Sequence, residues 1–366
     1  MKVTHISTVH NRHDNRIFYK QCSDLVNQCD EINLIVSDGQ GEEKRNGVNI
    51  FDTKKNYLKP RVLRIFFQAP LTLIYSFKNK SDIYHLHDPE LLIHFYYLRF
   101  FFRKMNIVYD MHENLPASIL SKIYIPKIFR RILSKLWKNF EEIALQHVNV
   151  IFAEDSYQNN YNLKKKFEIV RNFPKNFWFE LKKVVSTKKS IGYLGVCTKD
   201  RGIINLLTAV KNLNNQNIEL EVELIGDLWE GISDLDIFKS LEDQKILKYH
   251  GFLSNKSASK IVKNWDIGFA VLKKDPNFYD SYPTKLFEYL AASIPVITSD
   301  FPLYRKIINE FNGGICIEPE NEENLEKAIK KIILNKDNFV PKYHAEEYRW
   351  ENEFNKMLKF YVEIQC

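Results

Sequence analysis

Two runs of alternating strand and helix patterns, separated by a lysine-rich break, constrain this chain most. In the first run, apolar segments at 2–9, 31–37, 82–87, 106–111 and 148–153 alternate with helical patterns at 15–29, 62–78, 90–104 and 116–147. Short apolar runs separated by helical periods call for a parallel sheet covered on both faces. The rhythm breaks at 172–190, where Asn172, Phe173 and Pro174 lead into a Lys- and Ser/Thr-containing stretch that reads as a linker. It restarts with strands at 190–195, 219–225, 246–251, 267–272, 294–298 and 314–318, and helices at 201–214, 255–264, 283–292, 302–311 and 322–334. A last helix, 344–365, sets Trp350, Phe354, Met357, Leu358, Tyr361 and Ile364 near a helical period. The length of 366 residues exceeds the roughly 250–300 at which a single core stops growing. Two doubly wound α/β domains are therefore expected, with ligands at the carboxyl ends of their strands.

Composition narrows the classes. Five scattered cysteines show neither metal-ligand spacing nor a disulfide framework, which fits a reducing cytoplasm. Residues 1–9 read as a strand rather than a signal peptide, and no charge-free stretch reaches the length of a spanning helix. The net charge of +7 is uneven: residues 51–140 carry 16 basic and 6 acidic side chains. A basic first half points to an anionic partner. Within it, Lys127, Arg130, Arg131, Lys135 and Lys138 flank a broad face of Ile128, Phe129, Ile132, Leu133, Leu136 and Trp137. Such a helix either packs its apolar face on the sheet or lies on an anionic bilayer. The concentration of similar segments at 61–67 and 96–104 favours the membrane surface. Nucleic acid is not expected, because no binding motif accompanies the charge.

The chemistry-bearing residues lie at predicted strand ends and helix starts. Pro283, Thr284, Lys285 and Glu288 open the helix at 283–292. A helix N-terminus with a nearby lysine suits a phosphate, and Glu288, three residues on from Lys285, can accept bonds from vicinal hydroxyls. Gly195 ends a strand where the backbone can approach a ligand, and Arg201 follows at a helix start with a fork suited to a diphosphate. Lys199 assists or is merely solvated, and an ordinary charged surface loop explains this stretch as well. Gly226 ends another strand, as a pocket wall or a plain turn. In the first half, His112 and Glu113 follow one strand, and His87 and Asp88 another. A histidine at a strand end can donate to a sugar hydroxyl or move a proton near neutral pH. His10, His13, Asp14 and Arg16 follow the first strand, in a substrate loop, although Asp14 equally suits a helix cap. There is no His-Glu-x-x-His, no paired CxxC, no isolated Asp-x-Asp dyad of the kind that holds Mn or Mg on a nucleotide diphosphate, no Walker A loop and no GxGxxG after the first strand. Metal-dependent, ATPase and dehydrogenase readings lose their main support.

Together these residues resemble the retaining glycosyltransferases of family 4, which have the GT-B fold. The resemblance runs along most of the chain: His10, Asp14, Arg16, Ile17 and Phe18; Asp82 to Asp88; Val108 to Glu113; Gly195, Arg201 and Gly202; Pro283, Lys285, Leu286, Phe287, Glu288 and Tyr289 with Pro295 and Val296; and Trp350 with Glu351. It implies two Rossmann-like domains facing a central cleft. The first, 1–180, would bind the acceptor and be completed by 344–366 crossing back. The second, 188–343, would bind a nucleotide sugar. Gly195, Lys199, Arg201, Gly226, Thr284 and Lys285 would hold the donor, with Arg201 and Lys285 neutralising its diphosphate and Glu288 on the ribose. His112 would contact the transferring sugar, and Asp280 pairs with Glu288 at the family's spacing of two acidic residues. His10, Asp14, Arg16, His87 and Glu113 are the acceptor-side candidates. The chain departs from the family pattern at Asp280, commonly glutamate; at Val196, often arginine; at Ser293, often glycine; and in lacking a double glycine in its first loop.

The expected function is metal-independent transfer of a hexose-type sugar, with retention, from a nucleotide diphosphate. The acceptor would be a hydroxyl of a lipid-linked or surface-polysaccharide precursor of capsule or O-antigen type, with no cofactor, at the cytoplasmic face of a membrane. A GT-B nucleotide-sugar epimerase, and a non-catalytic module binding anionic lipid or glycan, are the alternatives.

Overall fold

The computed structural model describes residues 1–53, 64–78, 80–99, 105–122, 125–182, 188–279, 281–341 and 346–365. These divide into two compact units, residues 1–172 with 350–366 and residues 173–349.

The first unit is built on eight strands: β1 (Lys2–Ile6), β2 (Glu31–Val36), β3 (Glu43–Arg45), β4 (Val48–Asp52), β5 (Ile83–Leu86), β6 (Asn106–Met111), β7 (Asn149–Phe152) and β8 (Phe167–Ile169). Their order is β3-β4-β2-β1-β5-β6-β7-β8. All neighbours are parallel except β3 and β4. That hairpin was missed in the sequence, although Asn46 and Gly47 are a strong hairpin signal. Both take positive φ, 50° and 81°, as a tight turn between twisted strands requires. The expected helix 116–147 is two helices, Leu115–Ser121 and Lys127–Ala144, parted just before Pro126. Proline pushes the preceding residue out of the helical region.

The chain direction switches between β1 and β5, so the loops after these strands diverge and leave room for a ligand. The closing helix, Trp350–Gln365, buries Trp350, Met357, Phe360 and Tyr361 among Ile17, Phe18, Cys22, Leu25 and Ile32. Glu353, buried on this helix, accepts the Arg171 N–H at 2.8 Å.

The second unit holds six parallel strands: β9 (Ser190–Leu194), β10 (Glu221–Ile225), β11 (Leu247–Tyr249), β12 (Ile267–Ala270), β13 (Val296–Ser299) and β14 (Gly314–Ile317). Their order is β11-β10-β9-β12-β13-β14, which puts the switch between β9 and β12. Residues 173–182 correct the linker reading. Phe173 and Trp178 are buried in this unit's core beside Phe287 and Leu290, because the aromatic content of this stretch outweighs its polar punctuation. Ser293 stands at φ 57° after the helix Thr284–Ala291. That left-handed position favours glycine, which explains the family's usual residue there.

Candidate functional site

In the second unit, three elements meet at the carboxyl end of β9. Gly195 leaves the strand at φ 129° and Gly226 leaves β10 at φ 130°. A Cβ on Gly226 would stand 2.1 Å from the Gly195 carbonyl oxygen, so the two turns are packed backbone to backbone. A Cβ on Gly195 would lie 3.4 Å from the Lys285 Nζ and 3.7 Å from an Arg201 Nη1. Lys285 belongs to the first turn of the helix Thr284–Ala291, which no side chain among the described residues caps. Arg201 ends the short turn Lys199–Arg201. Two cations thus converge over one bare glycine. Burial disfavours the Lys285 charge and Arg201 adds repulsion, so the amine lies well below the ordinary lysine range. It donates to the Tyr193 hydroxyl at 2.7 Å. An anion such as a diphosphate would supply the charge this arrangement lacks. Glu288, 4% exposed, sits one turn further along the helix and accepts from Asn255 Nδ2 at 2.9 Å. Lys199 is exposed, with its backbone N–H donating to Glu230 at 2.8 Å. Asp280 lies outside the described residues. Tyr193 and Asn255 were not singled out in the sequence.

In the first unit, a cavity of about 350 Å³ opens at the β1/β5 switch, lined by Val9, His10, His87, Asp88, Pro89, Glu90, Tyr109, His112 and Glu113. Asp88 Oδ2 accepts from the Ser7 hydroxyl at 2.9 Å and the Thr8 N–H at 2.5 Å, which ties the β1 loop to the β5 loop. His10 lies 3.5 Å from Asp88 and 3.8 Å from Asp14. Burial opposes its charge, but Asp14 and Asp88 outweigh this and raise its pKa to about 9. His10 therefore keeps its proton at neutral pH. Asp14 does cap a helix, accepting from the N–H groups of Arg16 and Ile17 at 2.8 and 2.9 Å.

Of the acceptor-side candidates, His10, His87 and Glu113 line the cavity with His112. Arg16 does not. It is 5% exposed and its fork is spent on Asp110, at 2.8 and 3.1 Å. Once Arg16 is buried, only a buried carboxylate can hold its charge. Asp110, His85 and His5 were not singled out as site residues, although period-2 spacing sets His85 with His87, and Asp110 with His112, on shared strand faces.

Among the described residues, two groups have donor atoms close enough together to hold a metal ion: His5, His85 and His87, and His87, Asp110 and His112. In the first, His87 stacks on His5 at 13° and on His85 at 25° between ring planes, so the in-plane lone pairs do not converge. In the second, the carboxylate already accepts from Arg16 and Gln21. Neither donor set fits a cation better than it fits hydrogen bonds. No helix among the described residues is long and apolar enough to cross a membrane.

Residues 174–349 match the family "Glycosyl transferases group 1". The O-antigen chain mannosyltransferase RfbU of Salmonella typhimurium is 21% identical over 304 residues, 80% of this chain and 78% of that protein. Sucrose-phosphate synthase from Thermosynechococcus elongatus superposes with a TM-score of 0.74 at 14% identity, over 99% of this chain and 98% of that one. Anabaena HepE in complex with UDP and glucose gives 0.68 at 12% identity, over 99% and 100%. The fold is GT-B, with two parallel-sheet α/β domains.

Proposed function

With residues 174–349 matching the glycosyl transferases group 1 family, and a glycosyltransferase as the premise, we propose that this chain moves a hexose from a nucleoside diphosphate to a hydroxyl of a lipid-linked or surface-polysaccharide precursor. The convergence of Lys285 and Arg201 over Gly195 carries this reading. Two fixed cations at a bare backbone stabilise the charge that grows on a leaving diphosphate. They do so without a metal ion. Retention follows if the acceptor hydroxyl attacks the anomeric carbon on the face from which the diphosphate leaves; that phosphate then takes the acceptor proton, and no protein base is needed. The relative named for O-antigen chain mannosyl transfer supports a polysaccharide acceptor, and a cytoplasmic location supplies the sugar nucleotide.

A thermal-shift comparison of UDP-, GDP-, dTDP- and CMP-sugars without added metal tests the donor class. One of them at about 100 times its Kd should stabilise the protein by about 2.7 kcal/mol. Glu288→Ala should abolish that shift. Equal shifts in the two proteins would remove the assigned pocket.

The acceptor reading is supported by the helix Lys127–Ala144, whose only buried residues are Ser134, Glu141 and Ala144. Ile128, Phe129, Ile132, Leu133 and Leu136 are exposed, Ile128 by 66%. Phe66, Phe67, Leu71 and Ile74 are also exposed. An apolar face left in water and flanked by five basic residues suits an anionic bilayer. Charge reversal at Arg130 and Arg131 should weaken sedimentation with phosphatidylglycerol vesicles at least about tenfold, at about 1 kcal/mol per basic residue. Binding indifferent to both salt and these changes would rule out the bilayer as the partner.

A further inference from the structure

Beneath the first-unit cavity lies a chain of buried polar groups that the transferase reading does not use. Asp110 is fully buried at its centre. Its Oδ1 accepts from Arg16 Nη2 at 2.8 Å, and its Oδ2 accepts from Arg16 Nε at 3.1 Å and Gln21 Nε2 at 2.7 Å. The His112 Nε2 stands 3.1 Å from the same Oδ2, and the His85 Nε2 stands 3.6 Å from it. On the far side of His85, the Nδ1 pairs with the hydroxyl of Tyr361, from the closing helix. On the other branch, His87 Nδ1 is 3.2 Å from His112 Nε2, and His87 Nε2 is 2.9 Å from His5 Nδ1.

An ionised carboxylate has only acceptors, and a neutral imidazole has one N–H and one lone pair. If the Nε2 of His112 carried the lone pair, it would face the charged oxygen of Asp110 at 3.1 Å, acceptor against acceptor. It therefore carries the proton. His87 Nδ1 is 3.2 Å from that same N–H, while Asp110 Oδ2 is beyond hydrogen-bond reach at 3.6 Å, so Nδ1 is the lone-pair nitrogen and the proton of His87 sits on Nε2 and is donated to His5 Nδ1. The proton of His5 is thereby on Nε2, a buried atom with no hydrogen-bond partner among the described residues. His85 Nε2, 3.6 Å from Asp110 and without a hydrogen-bond partner among the described residues, is not fixed by it. One carboxylate thus fixes the same tautomer on three histidines.

We propose that Asp110 is a positioning residue: it holds His112 as the Nε2–H tautomer and leaves Nδ1 as a lone-pair acceptor for a substrate hydroxyl. The second half of this statement rests on the transferase reading, and the first does not. Burial pushes the pKa of Asp110 up, but Arg16 and His112 outweigh it and hold it well below the ordinary carboxylate range. Burial lowers His5, His85 and His87, which keeps them neutral. Both facts are what a fixed-tautomer network needs.

The tautomers are read directly from two-bond proton–nitrogen correlations in protein labelled with ¹⁵N-histidine, free of substrate. His112, assigned by loss of its signals in His112→Gln, should show the Nε2–H pattern. Oδ2 faces three donors, from Arg16, Gln21 and His112, and Oδ1 one, so in Asp110→Asn the amide oxygen keeps the Oδ2 place and His112 should keep its Nε2–H. Asp110→Ala removes that acceptor: the Nε2–H pattern of His112 should be lost, and kcat should fall at least about 100-fold at unchanged donor KM. Should Asp110→Ala not fold, because Arg16 loses its counter-charge, Arg16→Gln with Asp110→Ala removes both charges and should give the same loss. Nδ1–H in the unaltered protein would overturn the assignment. Loss of the Nε2–H pattern with unchanged kcat would overturn the positioning role. A failed donor-binding screen alongside the expected spectrum would count against the transferase reading alone.

Discussion

Alanine at Arg201 or Lys285 should lower kcat/KM for the proposed sugar-nucleotide donor by about 100- to 1,000-fold each, because fixed donors aimed at developing charge are worth that much apiece. The two changes differ in their effect on the unliganded protein. The Lys285 amine sits beside Arg201 in a partly buried place, and burial first, then that neighbour, holds its pKa well below the ordinary range. A lysine whose folded pKa is depressed below its unfolded value subtracts stability in full below the folded value, and this cost fades as the pH rises from the folded to the unfolded value. Lys285→Ala should therefore unfold at the same or a higher temperature than the unaltered protein while losing most of its stabilisation by UDP or GDP. Calorimetry with and without nucleotide checks both halves. A Lys285 variant that is much less stable when empty yet still turns over would show that the amine is a structural prop and not a phosphate ligand.

The second large effect lies in the first unit. Trp350 is fully buried against Phe18 and Leu25, and its Nε1 donates to Asp24 at 2.6 Å. Trp350→Ala should cost about 3–5 kcal/mol from lost burial and the cavity left behind. The cost should appear in one of two urea transitions, since Trp350 belongs to the first unit. Trp178→Ala should move the other transition, because Trp178 is in the second unit's core. If Trp350→Ala left both transitions in place, the closing helix would contribute nothing to the first core.

The sequence displayed the strand–helix alternation because its strands are buried on both faces and read as plain apolar runs. The helix at 284–291 was legible because Lys285 and Glu288 are local to it. Apart from the Asn46–Gly47 hairpin, whose signal is local, what escaped notice depends on contacts between residues far apart. The sequence says that Arg16 is a charge near the first strand, but not that Asp110, 94 residues on, consumes it. Tyr193 looks like one more core residue of β9, and only the fold brings its hydroxyl to Lys285. The amphipathic pattern of 127–144 was plain, yet periodicity does not distinguish a face packed on a sheet from one left in water.

The closing helix has a consequence for synthesis. Trp350 meets Asp24 across 326 residues, and Tyr361 meets His85 across 276. The sheet that leaves the ribosome first is therefore sealed last, after the entire intervening unit has emerged. Until then the surface awaiting residues 350–365 is bare apolar core, a target for chaperones and for wrong partners. Loop closure over such distances is slow, so the second unit has time to fold on its own while the first waits for its final helix.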